Sequence, residues 1–183
     1  MYTGKNPSAL HSRDWLCTSL LQLLGTKKYE QITVKEICEK AGLSRQTFYQ
    51  IFVSKDEIIG YYFSTLFEQF SKECDDLQHI SISELGCIFF QFFYQHRDFV
   101  GKLLDSNMSY LLGQQFEIYL RQIPIFQAIN HLKEHPDYSL AFVAGALTQT
   151  LTHWFRCEFD LSAAEVGHLT EHLLTGAAFH SEN

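Results

Sequence analysis

The stretch from Ile32 to Glu57 constrains this chain more than any other, because it spells two short helices, the corner between them and the opening of a third. Thr33 precedes an apolar-periodic run and Glu36 follows three residues on. In that pattern a hydroxyl and a carboxylate each take a backbone N–H that a helix start leaves without a partner. Val34, Ile37, Cys38 and Ala41 then recur at the spacing of a helix packed on one side. Gly42 stands where the chain must leave that helix, and Ser44 is placed to cap the next one. Two short helices joined at a glycine corner are the outline of a helix-turn-helix.

In the second helix Phe48, Ile51 and Phe52 are expected to point inward, which leaves Arg45, Gln46, Thr47, Tyr49 and Gln50 facing out. A guanidinium and an amide can each make paired hydrogen bonds to guanine and adenine edges, and hydroxyls suit phosphates. A merely solvated polar face would have a similar composition. The caps and the corner around this helix are what point to a reader of the DNA groove.

Taken as a set, these residues resemble the DNA-binding domain of the TetR (tetracycline repressor) family. Its pattern is a Thr-Val start, an Ala-Gly corner, a Ser cap, a Thr-Phe-Tyr core, then Phe and a Lys opening the next helix. Here these are Thr33-Val34, Ala41-Gly42, Ser44, Thr47-Phe48-Tyr49, Phe52 and Lys55. The resemblance implies base or phosphate contacts from Arg45, Gln46, Thr47, Tyr49 and Gln50. It implies backbone contacts at helix starts from Thr33, Lys35, Ser44 and Lys55, where free amides and the helix dipole favour phosphate in any case. Two positions depart from the pattern: Gln46 stands where a small residue is frequent, and Ile51 where His or Tyr often makes a further contact. Gln46 is thus expected to add sequence reading of its own.

Charge follows the same division. Residues 1–56 hold eight Lys and Arg against five Asp and Glu, a net of +3, and the remainder holds six against sixteen, a net of −10. A whole-chain net of −7 spread evenly would count against nucleic-acid binding. A local basic face on an acidic body still neutralises phosphates.

The rest of the 183 residues reads as helical, being Phe-rich with 16, poor in proline with 3, and without period-two alternation over a strand length. Leu16, Leu20, Leu23 and Leu24 stripe a first helix over about 8–24, with Tyr29 and Ile32 closing onto it. Ser54 and Glu57 open a long helix to about Asp75 that carries Ile59, Tyr62, Phe63, Leu66 and Phe70. Ser81 with Glu84 opens another, running to His96; Phe99 to Leu104 form a short one, and Met108 to Leu120 a longer one ending before Pro124. A short helix is expected over 125–132, with Pro136-Asp137 as the break after it. The predicted architecture is all-α: a helix-turn-helix domain over 1–53, and a helical effector-binding and dimerisation domain over 54–183 joined to it by the long helix.

The last two helices carry distinct signals. Ala141, Ala144, Gly145, Thr148 and Thr152 line one side of the helix over about 138–158 with small residues, and Ser162 with Glu165 caps a final helix bearing Val166, Leu169, Leu173 and Ala177. Such a pair either completes the monomer core or pairs with a second copy. With a helix-turn-helix upstream, a homodimer through these two helices is expected, reading two half-sites of a near-palindromic double-stranded operator.

Aromatic residues crowd the middle helices. The family resemblance implies a ligand cavity there, lined by Tyr62, Phe63, Phe89, Phe93, Phe116 and Trp154, in which a small-molecule effector shifts the helix over 54–75 and releases a repressor from its operator. Coupling of this kind requires only different ligand affinities in the two states. The plain alternative is that these rings are core. The segment Phe92-Phe93-Tyr94-Gln95-His96-Arg97-Asp98-Phe99 is also similar to short C-terminal regions of TetR members in Gram-positive bacteria, some of which answer to a partner protein in place of a metabolite.

Other chemistries leave weaker traces. Cys17, Cys38, Cys74, Cys87 and Cys157 are scattered and odd in number, with no Cys-x-x-Cys pair, which reads as reduced core thiols with a redox or metal sensor as the competing use. His131/His135 and His168/His172 have the i, i+4 spacing that can hold zinc, but neither pair has an evident third ligand. There is no Gly-x-Ser-x-Gly elbow, P-loop, dinucleotide loop or His-Glu-x-x-His, so the chain is read as non-enzymatic and without a cofactor. An interaction module that kept the fold and lost DNA binding finds its only encouragement in Ile51. No run approaches the length of a membrane span and no signal-peptide layout opens the chain, so a cytoplasmic protein is expected.

Overall fold

Caps decide where several helices begin. Thr33, Ser44, Ser81 and Ser162 are each extended and accept the amide three residues on; at Thr33, Ser81 and Ser162 the glutamates Glu36, Glu84 and Glu165 reach back to the cap amide. All three of these reciprocal caps follow from a Ser or Thr with a Glu three residues later. The computed structural model describes residues 7–75, 81–123 and 135–176. Within them the helices are α1 (Pro7–Leu24), α2 (Val34–Ala41), α3 (Arg45–Ile51), α4 (Lys55–Asp75) and α5 (Ile82–Gln95), followed by α6 (Arg97–Asp105), α7 (Ser109–Leu120), α8 (Pro136–Arg156) and α9 (Ala163–Leu174). A 3-10 turn at Tyr29–Gln31 precedes α2, and no strand occurs among the described residues. The fold is all-α.

Two compact units divide the chain, Met1–Leu66 and Phe67–Asn183. In the first, α1, α2 and α3 pack on one another around Leu16, Leu20, Ile37, Phe48 and Phe52, all within 1 % of full burial. The division between the units falls inside α4, past the boundary at 53/54 expected from sequence. The physical reason is that the first turns of α4 are fastened to the N-terminal core: Ile58 and Ile59 are buried, and the Tyr61 hydroxyl donates to Asp14 of α1 at 2.5 Å.

In the second unit α5 packs extensively on α9, and α7 on α8. The α7–α8 pair runs antiparallel, since Thr148 sits opposite Gly113 while Arg121 pairs with Asp137 at 2.8 Å. The small-residue side of α8 splits: Ala144, Thr148 and Thr152 face the core, while Ala141 and Gly145 are exposed. Pro136 is the first residue of α8 and not part of a break, because the first helical position needs no N–H and favours the proline φ. On α9 the inward residues are Val166, Gly167 and Thr170, while Leu169 and Leu173 are exposed. The helix expected over 125–132, with His131, and Ala177 lie outside the described residues.

Candidate nucleic-acid interface

The corner that aims the second short helix is set by Gly42, whose φ of +67° is open to glycine and costly for a side chain, and whose N–H returns to the carbonyls of Cys38 and Glu39. Ser44 then starts α3, accepting the Thr47 amide at 3.0 Å and sharing a 2.9 Å hydrogen bond with the Thr47 hydroxyl. One side of α3 is anchored: Phe48 and Ile51 are buried, as is Phe52 just beyond its end, and the Phe48 and Phe52 rings lie 6.0 Å apart. Arg45, Gln46, Tyr49 and Gln50 are thereby turned outward and exposed, with Thr47 half-buried at the cap. Tyr49 keeps its place by an edge-on contact with Phe48 at 5.2 Å. Ile51 is 4 % exposed and belongs to the core, so it offers no surface to a groove.

The residues at helix starts are placed differently from one another. Thr33 is engaged inside its own cap: its hydroxyl donates to Glu36 at 2.8 Å, its amide donates to the same carboxylate at 2.9 Å, and it accepts the Glu36 amide. The Glu36 carboxylate also pairs with Lys27, and these contacts, Lys27 first among them, hold its pKa down to about 2. Lys35 is exposed and only loosely paired with Glu39, at 3.7 Å. Lys55 turns inward. Its ammonium donates to the carbonyls of Tyr29 and Ile32 and lies over the Tyr29 ring, and burial pushes its pKa below the usual lysine range. At the start of α4 the Glu57 carboxylate accepts the Val53 amide at 2.8 Å.

Sequence reasoning missed several residues of this unit. Ile58 is fully buried beside Ile59, and Tyr61 lies under the Arg13 guanidinium at 4.1 Å while bonded to Asp14. Only the basic and acidic neighbours on α1 hinted at the last, and they carry no spacing signal toward α4.

The aromatic residues of the second unit form two groups joined by the edge-on contact of Phe89 with Phe90 at 5.1 Å. Phe89, Phe93 and Phe116 come together, with ring centres 4.7 to 5.2 Å apart and each largely buried. Trp154 belongs to a second cluster with Phe90 and Phe159, and its indole N–H donates to the Leu161 carbonyl at 2.8 Å. Phe63 is buried and Tyr62 half-buried, both in the first unit. Phe90, not singled out in the sequence, is among the fully buried residues. The buried hydroxyls of Thr148, Thr152 and Thr170 donate to the carbonyls four residues earlier.

The five cysteines are free, with Cys17 and Cys38 buried; burial pushes the Cys17 thiol up to about 12. His168 shares a 2.6 Å hydrogen bond with Ser83. Among the described residues no group of three or more His, Cys, Asp or Glu is placed to hold a metal ion. No helix among them is long and apolar enough to cross a membrane.

Residues 19–62 match the family model described as bacterial regulatory proteins, tetR family. That span contains α2, α3, the corner between them and every residue named above for DNA contact. No curated protein matches the chain. Among solved structures, a TetR transcriptional regulator from Streptococcus agalactiae 2603V has the same fold, with a TM-score of 0.67 at 20% identity over 91% of this chain and 95% of that one. The fatty acid degradation regulator FadR from Bacillus halodurans is similar at a TM-score of 0.63 and 16% identity, covering 98% and 100% of the two chains. The dihydroxyacetone kinase operon activator DhaS is similar at 0.56 and 18%, over 94% and 98%. Residues 19–62 thus form a helix-turn-helix of the tetR type of bacterial regulatory proteins, carried on a chain whose all-helical fold is that of the solved regulators it resembles.

Proposed function

We propose that this protein is a homodimeric repressor that reads a near-palindromic operator through Arg45, Gln46, Tyr49 and Gln50 and leaves it on binding a small-molecule effector. The observation that carries the reading is the two-sided character of α3. Its inner side is fixed by Phe48 and Ile51, so the polar outer side is presented on a backbone already held in place, and binding in a groove has only the side chains left to order. Lys35 and the Thr47 and Ser44 hydroxyls flank that array as phosphate contacts, and the basic excess of residues 1–56 supports the same end.

Dimerisation is supported by α8 and α9. Tyr138, Phe142, Leu169 and Leu173 are 81 %, 65 %, 45 % and 44 % exposed in the single chain, an apolar display that a second copy would cover. The effector is assigned, within the second unit, to the aromatic interior formed by Phe89, Phe93 and Phe116, with Trp154 as the further candidate there.

A second reading, control by a partner protein, is favoured by Tyr110 and Ile118, which stand 54 % and 49 % exposed on α7. The likeness to a protein described as an operon activator also gives weight to activation as the competing sign of regulation.

Selection of bound duplexes from a random library at two salt concentrations tests the proposal. Enrichment of an inverted repeat is expected, and the recovered operator then serves to screen effectors by loss of binding. Absence of any enriched sequence would overturn it.

A further inference from the structure

Two consecutive residues of the first turn of α4 grip the 3-10 turn that leads into α2. The Lys55 ammonium donates to the Tyr29 carbonyl at 2.6 Å and to the Ile32 carbonyl at 2.8 Å, while its charge lies 4.1 Å above the centre of the Tyr29 ring. The neighbouring Asp56 carboxylate accepts the Tyr29 phenolic proton. Tyr29 and Ile32 are 5 % and 1 % exposed, so the gripped turn is itself locked into the core, and Ile32 immediately precedes the Thr33 cap of α2. An ammonium has three donors, and two of Lys55's are committed to these carbonyls. A cation held by two carbonyls and a ring face is a directional clamp and not a mobile surface charge.

We infer that Lys55, with Tyr29 and Asp56, is a positioning residue for operator binding: it fixes the entry of α2 to the first turn of α4, so that the helix-turn-helix keeps its reading geometry, in place of serving as a phosphate ligand. The inference rests on the DNA-binding reading above. It differs from that reading in what it demands of Lys55. A phosphate ligand contributes through charge, which arginine would preserve. A clamp seated between two carbonyls and a ring depends on the compact ammonium, which the wider planar guanidinium does not reproduce.

The test uses the full chain with Lys55→Met, Lys55→Arg and Tyr29→Phe. Tyr29→Phe keeps the buried ring and removes only the hydroxyl, and its position in the core puts it out of reach of DNA. Amide hydrogen exchange on the free protein comes first and needs no operator: exchange across Ile32–Ala41 is expected to rise severalfold in Tyr29→Phe and Lys55→Met, with α9 unchanged. Unaltered exchange in Tyr29→Phe overturns the clamp, and this variant decides the matter if the Lys55 variants do not fold.

Binding to the selected operator is then followed across salt. Both Lys55 variants are expected to lose affinity on the order of tenfold, the scale of a hydrogen bond to a charged group, with the slope of log affinity against log salt unchanged. Wild-type affinity in Lys55→Arg, or a slope reduced by about 0.9 in Lys55→Met, as for one lost phosphate contact, overturns the positioning role. Failure of the unsubstituted protein to bind any duplex counts against the DNA-binding reading alone, and the exchange result still judges the clamp.

Discussion

Gly167 of α9 lies so close to Cys87 of α5 that a Cβ added to it would sit 2.6 Å from the Cys87 amide nitrogen and 2.8 Å from its Cα. The approach is reciprocal, because a Cβ on Gly86 would be 3.1 Å from the Gly167 carbonyl oxygen. The two helices therefore cross backbone against backbone: the Cys87 Sγ, 2.9 Å from the added Cβ, could turn away, but the two nearer atoms belong to the main chain and could not. Gly167→Ala is expected to destabilise the protein by about 1–3 kcal/mol, the range for overpacking a closed contact. Gly145→Ala, where a Cβ would meet nothing within 4 Å, should instead add about 0.5–1 kcal/mol through helix propensity. Urea unfolding of the two variants measures both, and equal midpoints would contradict the close crossing.

Glu36 gives the N-terminal unit an acid-sensitive cap. Its carboxyl ordinarily titrates near 4.5, and the Lys27 ammonium together with the Thr33 amide and hydroxyl holds it at about 2 in the folded protein. Because the folded value is the lower one, the stabilisation it provides is complete above pH 4.5 and is lost as the pH falls toward 2. Glu36→Gln cannot ionise, so its stability should fall less steeply across that window than the wild type's. Parallel acid limbs in thermal unfolding of the two proteins would show that the carboxylate is not coupled to folding.

The parts of this structure legible in the sequence are those governed by local rules. Thr33 with Glu36, Ser81 with Glu84, and Ser162 with Glu165 were each readable as a cap, and Gly42 as the residue of the corner, because caps and corners are decided within four residues. Of the five residues expected outward from the inward Phe48, Ile51 and Phe52 by periodicity, Arg45, Gln46, Tyr49 and Gln50 are exposed, while Thr47 is half-buried because it closes the Ser44 cap. What escaped is tertiary. Nothing local tells that Gly86 and Gly167 meet, that Lys55 turns back onto Tyr29 and Ile32, or that Asp14 awaits the Tyr61 hydroxyl 47 residues later. On α9 the apolar positions were visible, but Leu169 and Leu173 proved to be the outer set and Val166 with Gly167 the inner. A helix apolar on two sides has no unique inner side until its neighbours are placed.

Those outward leucines carry a prediction on assembly. Phe142 and Leu169 are 65 % and 45 % exposed, yet both are apolar and sit on the helices proposed to meet a second copy. Phe142→Glu and Leu169→Glu place charge where a pairing surface would exclude water, and in a two-fold contact each charge faces an environment repeated by its mate. Sedimentation should show monomers at concentrations where the wild type is dimeric, with helical content unchanged and affinity for the full inverted repeat reduced toward that of a half-site. A dimer that survives both substitutions would place the interface elsewhere.

The recognition face makes the most discriminating prediction, because its members are expected to fail in different ways. Arg45 and Gln46 present a guanidinium and an amide from the first turn of α3, where paired hydrogen bonds to one base are worth about 1–3 kcal/mol of discrimination. Arg45→Ala and Gln46→Ala should each relax the preference at particular base pairs of the operator while leaving the others intact. Lys35 is exposed on α2 and weakly paired, so Lys35→Ala should reduce affinity for all sequences alike and lower the salt slope by about one. Arg45→Glu goes further: it sets a carboxylate against the phosphates and should abolish binding, with dimerisation untouched. The four proteins are compared by repeating the library selection. Uniform loss across all sequences from Arg45→Ala and Gln46→Ala, indistinguishable from Lys35→Ala, would mean that α3 holds DNA by its backbone and does not read it.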